Sequence, residues 1–226
     1  MVQMEIISRV FRIAFGTSSG TAFTIENHGV QFLVTAKHIF KSANHPAAGK
    51  IALLMGKKYQ TYDVEIRYPA DPEIDIAVMK LIPYQQLTPM YDNKNTPEGI
   101  TLGQDVYFLG FPYQYDQLLS AIPGDTKPLP FVKKACLSTI LMDGKTTLLL
   151  DGHNNPGFSG GPVCFKRVDN DKEKMSIVGI VSGFRFDKKY VFDENDSQTE
   201  SYVKDNTGII IAYCITHANK IASEWI

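Results

Sequence analysis

A serine surrounded by glycines is the part of the sequence best suited to chemistry. It lies in residues 156–162, which read Pro-Gly-Phe-Ser-Gly-Gly-Pro. A hydroxyl that attacks a carbonyl needs N–H donors for the negative oxygen that forms, and glycines let the chain turn N–H groups inward without a Cβ in the way. We therefore predict that Ser159 is a nucleophile and that the N–H groups of Gly157 and Ser159 form an oxyanion hole.

A nucleophilic serine needs a base, and a histidine follows an apolar, strand-like run. Residues 32–38 read Phe-Leu-Val-Thr-Ala-Lys-His, so His38 comes at a predicted strand end, from which an imidazole can point into a cleft. Asp75 precedes the alternating run Ile-Ala-Val-Met-Lys-Leu, which is typical of a half-buried strand, and supplies a carboxylate to orient the imidazole. Asp63 and Asp71 are rival acids that we predict to face the solvent.

The order His38, Asp75, Ser159 within these motifs resembles that of the trypsin-like, chymotrypsin-fold serine peptidases. The resemblance is greatest to their disulfide-free bacterial branch, which includes the Deg-type proteases. Three further segments are similar to that branch: Leu-Gly-Phe-Pro at 109–112, Ser-Ile-Val-Gly-Ile-Val-Ser-Gly at 176–183 and Gly-Ile-Ile-Ile-Ala at 208–212. Each motif is short, but together they follow one another in the family's order over nearly the whole chain.

The resemblance implies an all-β fold of two six-stranded antiparallel β-barrels with a C-terminal helix. We expect residues 1–226 to be a single peptidase domain. Short alternating runs place the first barrel at about residues 1–82 and the second at about 104–215, with a connector rich in Pro, Asn and Gly at about 83–103 and the helix at about 216–226. The active site would then lie in the crevice between the barrels.

By this resemblance, the chain is a serine endopeptidase. His38 would take the proton from Ser159 Oγ as it attacks a peptide carbonyl, while Asp75 holds the imidazole in the useful tautomer. Water would hydrolyse the acyl-enzyme, and no metal or organic cofactor is required. Two alternatives remain open: a protease-like binding module that has lost turnover, and a serine esterase.

The resemblance also assigns a substrate pocket. The residue six before the nucleophile is His153, and the matching wall segment is Ser182, Gly183 and Phe184, which should offer backbone to an extended substrate. His153 can hydrogen-bond an acidic or amide side chain at P1, the substrate residue before the scissile bond, or it can turn away and pack on the wall. We expect a small or medium apolar P1 residue.

Control of activity is less evident from the sequence. Phe158 stands where secreted relatives have the acid that pairs with a newly cut N-terminus, so that ion pair cannot form. Activity would be constitutive, or governed by loop ordering, oligomerisation or an activating protein partner. The charged residues 187–205 read as a long surface loop, either a solvated hairpin or a rim that selects substrates or receives a partner, and residues 121–130 are a second such candidate.

Composition agrees with a soluble enzyme that acts on proteins or peptides. With 226 residues, 44% hydrophobic and 21% charged, the chain can bury a sizeable core. The net charge of -1 and the lack of a basic cluster argue against nucleic acid as a partner. We see no secretion signal or membrane span, and three cysteines without metal-ligand spacing (Cys136, Cys164 and Cys214) favour a cytoplasmic location.

Overall fold

The first half of the chain forms a closed antiparallel barrel. The structure is a computed structural model and describes residues 2–91, 95–113, 128–169 and 171–225, so residues 121–127 of the second candidate rim lie outside the described part. The strands of the first barrel are β1 (Val10–Phe15), β2 (Ser18–Asn27), β3 (Val30–Thr35), β4 (Ala48–Met55), β5 (Lys58–Arg67) and β6 (Ala77–Ile82). Around the barrel they follow the order β1-β2-β3-β6-β5-β4.

Alternate side chains of these strands fill the first barrel, because successive side chains of a strand point to opposite faces. Phe11 and Ile13 of β1 belong to the cluster inside the barrel. Val10, from the other face of β1, belongs to a second cluster that joins the first barrel to the second. Both faces of β3 are buried, which explains the continuous apolar run at residues 32–34.

The second half of the chain forms another closed barrel. Its strands are β7 (Asp105–Gly110), β8 (Phe131–Leu141), β9 (Thr147–Asp151), β10 (Pro162–Asp169), β11 (Lys172–Phe192) and β12 (Gln198–Cys214). They follow the order β10-β11-β12-β9-β8-β7 around the barrel. The predicted all-β class with two six-stranded antiparallel barrels and a C-terminal helix is confirmed.

Three short helices complete the described structure: α1 (Met4–Ile7), a 3-10 helix (Lys37–Ala43) and α2 (Thr216–Ser223). Although α2 follows the second barrel, it packs on β2 and β6 of the first. The Trp225 ring, just beyond α2, lies 5.6 Å from the Phe32 ring. The terminal segment therefore ties the two barrels together.

Residues 187–205, predicted to be a long surface loop, are mostly paired strand. Here β11 and β12 continue beyond the barrel as a two-stranded ribbon, in which Tyr190 lies opposite Tyr202. Interleaved charged and exposed aromatic residues obscured the alternation, which is why the composition resembled that of a loop.

One edge of β11 has no neighbouring strand near the nucleophile. β10 pairs with β11 only as far as Ile180, so within the described residues this edge of β11 is unpaired from Ser182 outward.

The cysteines form no disulfide: Cys136, Cys164 and Cys214 are all free thiols. Complete burial raises the pKa of the Cys164 thiol well above its usual range. Within the described ranges, no helix is long and apolar enough to cross a membrane.

Candidate active site

His38 lies on the 3-10 helix Lys37–Ala43, three residues beyond the end of β3 rather than at the predicted strand end. Ala36 before the helix is extended, with φ -76° and ψ 137°, so the chain turns only after it. Ile39 and Phe40 are buried in the first barrel. That burial fixes the helix and leaves the His38 side chain 43% exposed.

Asp75 contacts His38 through both carboxylate oxygens. Oδ1 accepts the backbone N–H of His38 at 2.8 Å, and Oδ2 lies 2.7 Å from His38 Nδ1. Because an ionised carboxylate only accepts hydrogen bonds, Nδ1 carries the proton in this contact and Nε2 is left as the proton acceptor. The structure thus brings these two predicted residues together in the arrangement that a general base needs.

Ser182 ties the carboxylate to the second barrel. Its hydroxyl donates to Asp75 Oδ2 at 2.6 Å. We predicted Ser182 for its backbone alone, as part of the segment that pairs with substrate. Its side-chain role was missed because a serine between apolar residues carries no sequence signal for a partner more than a hundred residues away.

Ser159 lies in a tight turn, residues 156–161, which we call the nucleophile turn. Gly157 has a φ of 105° and Gly160 a φ of 83°, a region that residues with a Cβ rarely adopt. A Cβ on Gly157 would lie 2.2 Å from Phe111 O, and one on Gly160 would lie 2.2 Å from Thr21 O. Both backbone conformation and close packing therefore require glycine at these two positions.

Phe158 anchors the nucleophile turn in the core of the second barrel. The residue is fully buried, and its ring packs edge-on against Phe108 with a centroid distance of 4.9 Å. Packing therefore holds the turn at the position where secreted relatives use an ion pair.

The two predicted oxyanion donors are free in the nucleophile turn. Around them, the Phe158 N–H donates to Asn155 O at 3.4 Å and the Gly160 N–H to Val181 O at 2.7 Å. By contrast, the N–H groups of Gly157 and Ser159 donate to no acceptor among the described residues. They are thus available to hydrogen-bond a negative oxygen.

Thr21 of the first barrel holds the nucleophile turn, a role that sequence reasoning missed. Its buried hydroxyl donates to Gly157 O at 2.7 Å and accepts the Phe111 N–H at 3.1 Å. Its backbone N–H donates to Ser159 O at 2.9 Å. A threonine is ordinary in a strand, so its type and position gave no indication of these contacts.

The Ser159 hydroxyl is hydrogen-bonded to the backbone of Ser182 rather than to His38. It donates to Ser182 O at 3.2 Å, and no hydrogen bond in the described part of the chain joins it to the imidazole. Because Ser182 also contacts Asp75, the three predicted catalytic residues are linked through this one serine. Catalytic hydrogen bonds are often unformed without substrate, and a different χ1 rotamer of Ser159 would redirect the hydroxyl.

A pocket of about 390 Å³ lies beside the nucleophile turn. Of the residues predicted to bind substrate, His153 and Phe184 line it, whereas Ser182 and Gly183 do not. Gly183 O instead accepts a hydrogen bond from Asn154 Nδ2 at 3.2 Å. The other lining residues are Tyr113, Asn154, Asn155, Pro156, Phe186, Lys204 and Asn206.

A lysine that the sequence did not single out lies behind the wall of this pocket. The Lys133 ammonium donates to the backbone O of His153 and to Asn155 Oδ1, the latter at 3.0 Å. Burial lowers the pKa of Lys133. These contacts fix the backbone of the segment that precedes the nucleophile turn.

A second cleft, of about 370 Å³, is lined by Gly157. Its other lining residues are Ser19, Phe111, Tyr113 and Pro156, of which Tyr113 and Pro156 also line the first pocket. Among the residues that the structure describes, no three His, Cys, Asp or Glu side chains are grouped so as to hold a metal ion.

Solved structures share this architecture. The Rv3671c protease of M. tuberculosis, in an inactive form, superposes with a TM-score of 0.58 at 15% identity, over 98% of this chain and 90% of that one. The HtrA-type protease AlgW with a tripeptide gives a TM-score of 0.58 at 19% identity, over 97% and 60%. A serine endoprotease from Yersinia pestis gives 0.57 at 16% identity, over 98% and 64%. At these identities the likenesses establish the fold alone.

The sequence itself matches a family profile. No curated protein matches it, but the profile described as the trypsin-like peptidase domain matches residues 20–168. This range contains His38, Asp75 and Ser159, and it is well over half of the chain. The chain belongs to the trypsin-like peptidase domain family.

Proposed function

We propose that the protein is a serine endopeptidase in which His38, Asp75 and Ser159 form the catalytic triad. The observation that carries this proposal is the two-point contact of Asp75 with His38, beside a serine turn with two free N–H groups. A peptidase function is what the family supports. The serine mechanism is our inference from these contacts.

In the proposed reaction, Ser159 Oγ bonds to the peptide carbonyl carbon while His38 Nε2 takes its proton. The carbonyl oxygen becomes negative and is stabilised by the N–H groups of Gly157 and Ser159. The C–N bond then breaks as His38 returns the proton to the departing amine. Water repeats the sequence on the acyl-enzyme, and Asp75 stabilises the imidazolium in both halves.

Extended peptides fit the proposed function best. The edge of β11 from Ser182 outward pairs with no strand among the described residues, so an extended substrate can add there as a further antiparallel strand once Ser159 releases Ser182 O. The three free thiols support our proposal that the enzyme works in a reducing compartment such as the cytoplasm.

One observation favours a second candidate, a binding module without turnover. The Ser159 hydroxyl donates to Ser182 O rather than to His38, so the nucleophile is not activated in this arrangement. If that arrangement persists with substrate bound, the site presents its cleft without catalysis.

Labelling with a fluorophosphonate, which reacts only with activated serines, separates the candidates. We expect wild-type protein and Ser138→Ala, a change at an exposed strand residue, to be labelled, and Ser159→Ala not to be. Cleavage of an unfolded protein should follow the same pattern, because loss of the nucleophile costs about a million-fold in turnover. If the wild type is labelled and hydrolyses an ester substrate but cleaves no peptide, the result would support an esterase. If the wild type is not labelled, the result would support the binding module.

A further inference from the structure

The ribbon contributes a cation to the pocket beside Ser159. Lys204 and Asn206 line this pocket, whereas Asp205 between them does not, because alternate side chains of a strand face opposite ways. The Lys204 ammonium lies 4.6 Å from the centre of the Phe186 ring. It forms no ion pair with any carboxylate of the described residues, so its charge is available to a ligand.

Acidic side chains are absent from the lining of the pocket as the structure describes it. Asp205 is held on the other face of the ribbon by an ion pair with Lys189. Lys188, the next lysine on the pocket face, lies 4.4 Å from the centre of the Tyr202 ring. The pocket face of the ribbon therefore carries lysines over aromatic rings, while the ribbon's ion pair lies on the opposite face.

Neighbouring polar residues of the pocket are held in place by hydrogen bonds. His153 lines the pocket, and its backbone O accepts from the Lys133 ammonium, a second cation behind the wall. Asn206 Nδ2 donates to Asn154 O at 2.8 Å, which fixes the strand next to Lys204. Phe184 and Phe186 supply apolar walls that can cover the methylenes of a side chain.

We propose that this pocket selects an acidic side chain at substrate position P1, with Lys204 as the main specificity-determining residue and His153 as a second donor. The proposal builds on the proposed peptidase function, and it replaces the small or medium apolar P1 residue expected from sequence. Position 204 lies 45 residues beyond the nucleophile, in a stretch that read as loop, so the sequence did not associate it with the pocket.

The test uses peptides identical except at P1, which is Glu, Gln, Leu or Lys, and compares their kcat/KM values. Glu and Gln have nearly the same shape, so the ratio of the kcat/KM values for these two peptides (the Glu/Gln ratio) measures the effect of the negative charge. A charge-assisted hydrogen bond at a partly exposed site predicts a Glu/Gln ratio of about ten or more in the wild type. Since Lys204 is exposed to solvent, the ratio should also fall as salt is raised.

Lys204→Met should bring the Glu/Gln ratio close to one, and Lys204→Glu should favour Lys at P1 over Glu. Lys188→Met is the matched control: it removes a lysine from the same face of the ribbon but outside the pocket, and it should leave the ratio unchanged. If the wild type prefers Leu at P1, or if Lys204→Met leaves the Glu/Gln ratio unchanged, the proposed preference for an acidic P1 side chain is overturned. The proposed peptidase function is not affected by either result. Absence of both cleavage and Ser159 labelling overturns both proposals together.

Discussion

Thr21→Val tests whether the first barrel holds the nucleophile turn. Valine keeps the branched shape and nearly the volume of threonine but removes the hydroxyl. Gly157 O then loses its donor at 2.7 Å, and the Phe111 N–H loses its acceptor at 3.1 Å. Because Thr21 is fully buried, no water can enter at residue 21 to replace the lost hydroxyl.

Both a stability loss and an activity loss follow from those two broken hydrogen bonds. A buried polar group left without a partner costs about 1–3 kcal/mol, and we expect about 2 kcal/mol in all, because the cleft beside Gly157 lets water reach one of the groups. For a domain of this size, that lowers Tm by about 4–8 °C. Losing one oxyanion donor costs about 100- to 1,000-fold in kcat, so a donor displaced by the loosened turn should cost about 10- to 100-fold.

Thr24→Val provides the matched control. Thr24 is equally buried on the same strand, and its hydroxyl lies 3.2 Å from Thr88 Oγ1, with no contact to the nucleophile turn. Thr24→Val should lower Tm by a smaller amount, because only one hydrogen bond is lost, and leave kcat/KM within about twofold of wild type, since distant sites act independently. Activity is measured on a short peptide well below both Tm values. Equal activity losses in the two variants, or full activity in Thr21→Val, would refute the reasoning.

Two further changes test other parts of the molecule. Burial raises the pKa of Tyr68 to about 12, and its hydroxyl donates to Pro46 O at 2.9 Å. Since a free phenol ionises near pH 10, the contribution of Tyr68 to the unfolding free energy should be constant below about pH 10 and fall between about 10 and 12; Tyr68→Phe should make the fall over this range smaller in urea titrations, and an unchanged slope would contradict it. Replacing residues 189–203 by Asn-Gly closes the ribbon between the paired Lys188 and Lys204. Cleavage of a long unfolded protein should drop about tenfold while a short peptide is cleaved normally, and equal effects on both would show that the ribbon edge binds no substrate.

Local requirements made much of the fold and the turn predictable. Strand alternation reflects which side chains enter a barrel, so the two barrels were predicted close to the residues where the structure has them. Gly157 and Gly160 were noticed because a turn with positive φ demands glycine whatever surrounds it. Such features depend on a few neighbouring residues, and sequence patterns report them directly.

Contacts between distant residues were not predictable in the same way. Thr21 meets Gly157, and Ser182 meets Asp75, across more than a hundred residues of chain. Lys204 enters the pocket only because the two strands of the ribbon pair in one particular register. Nothing in the type or spacing of these residues sets that register, which is decided by how the barrels close and dock.

The position of α2 sets an order of events during synthesis. The half of the site with His38 and Asp75 is made first, the nucleophile turn follows, and α2 with Trp225 is made later still, yet this last segment packs on the first barrel. Chains fold progressively as they leave the ribosome. The contacts of α2 and Trp225 with the first barrel can therefore form only after the residues of both barrels have been synthesised, which makes them among the last of the described contacts to form in a nascent chain.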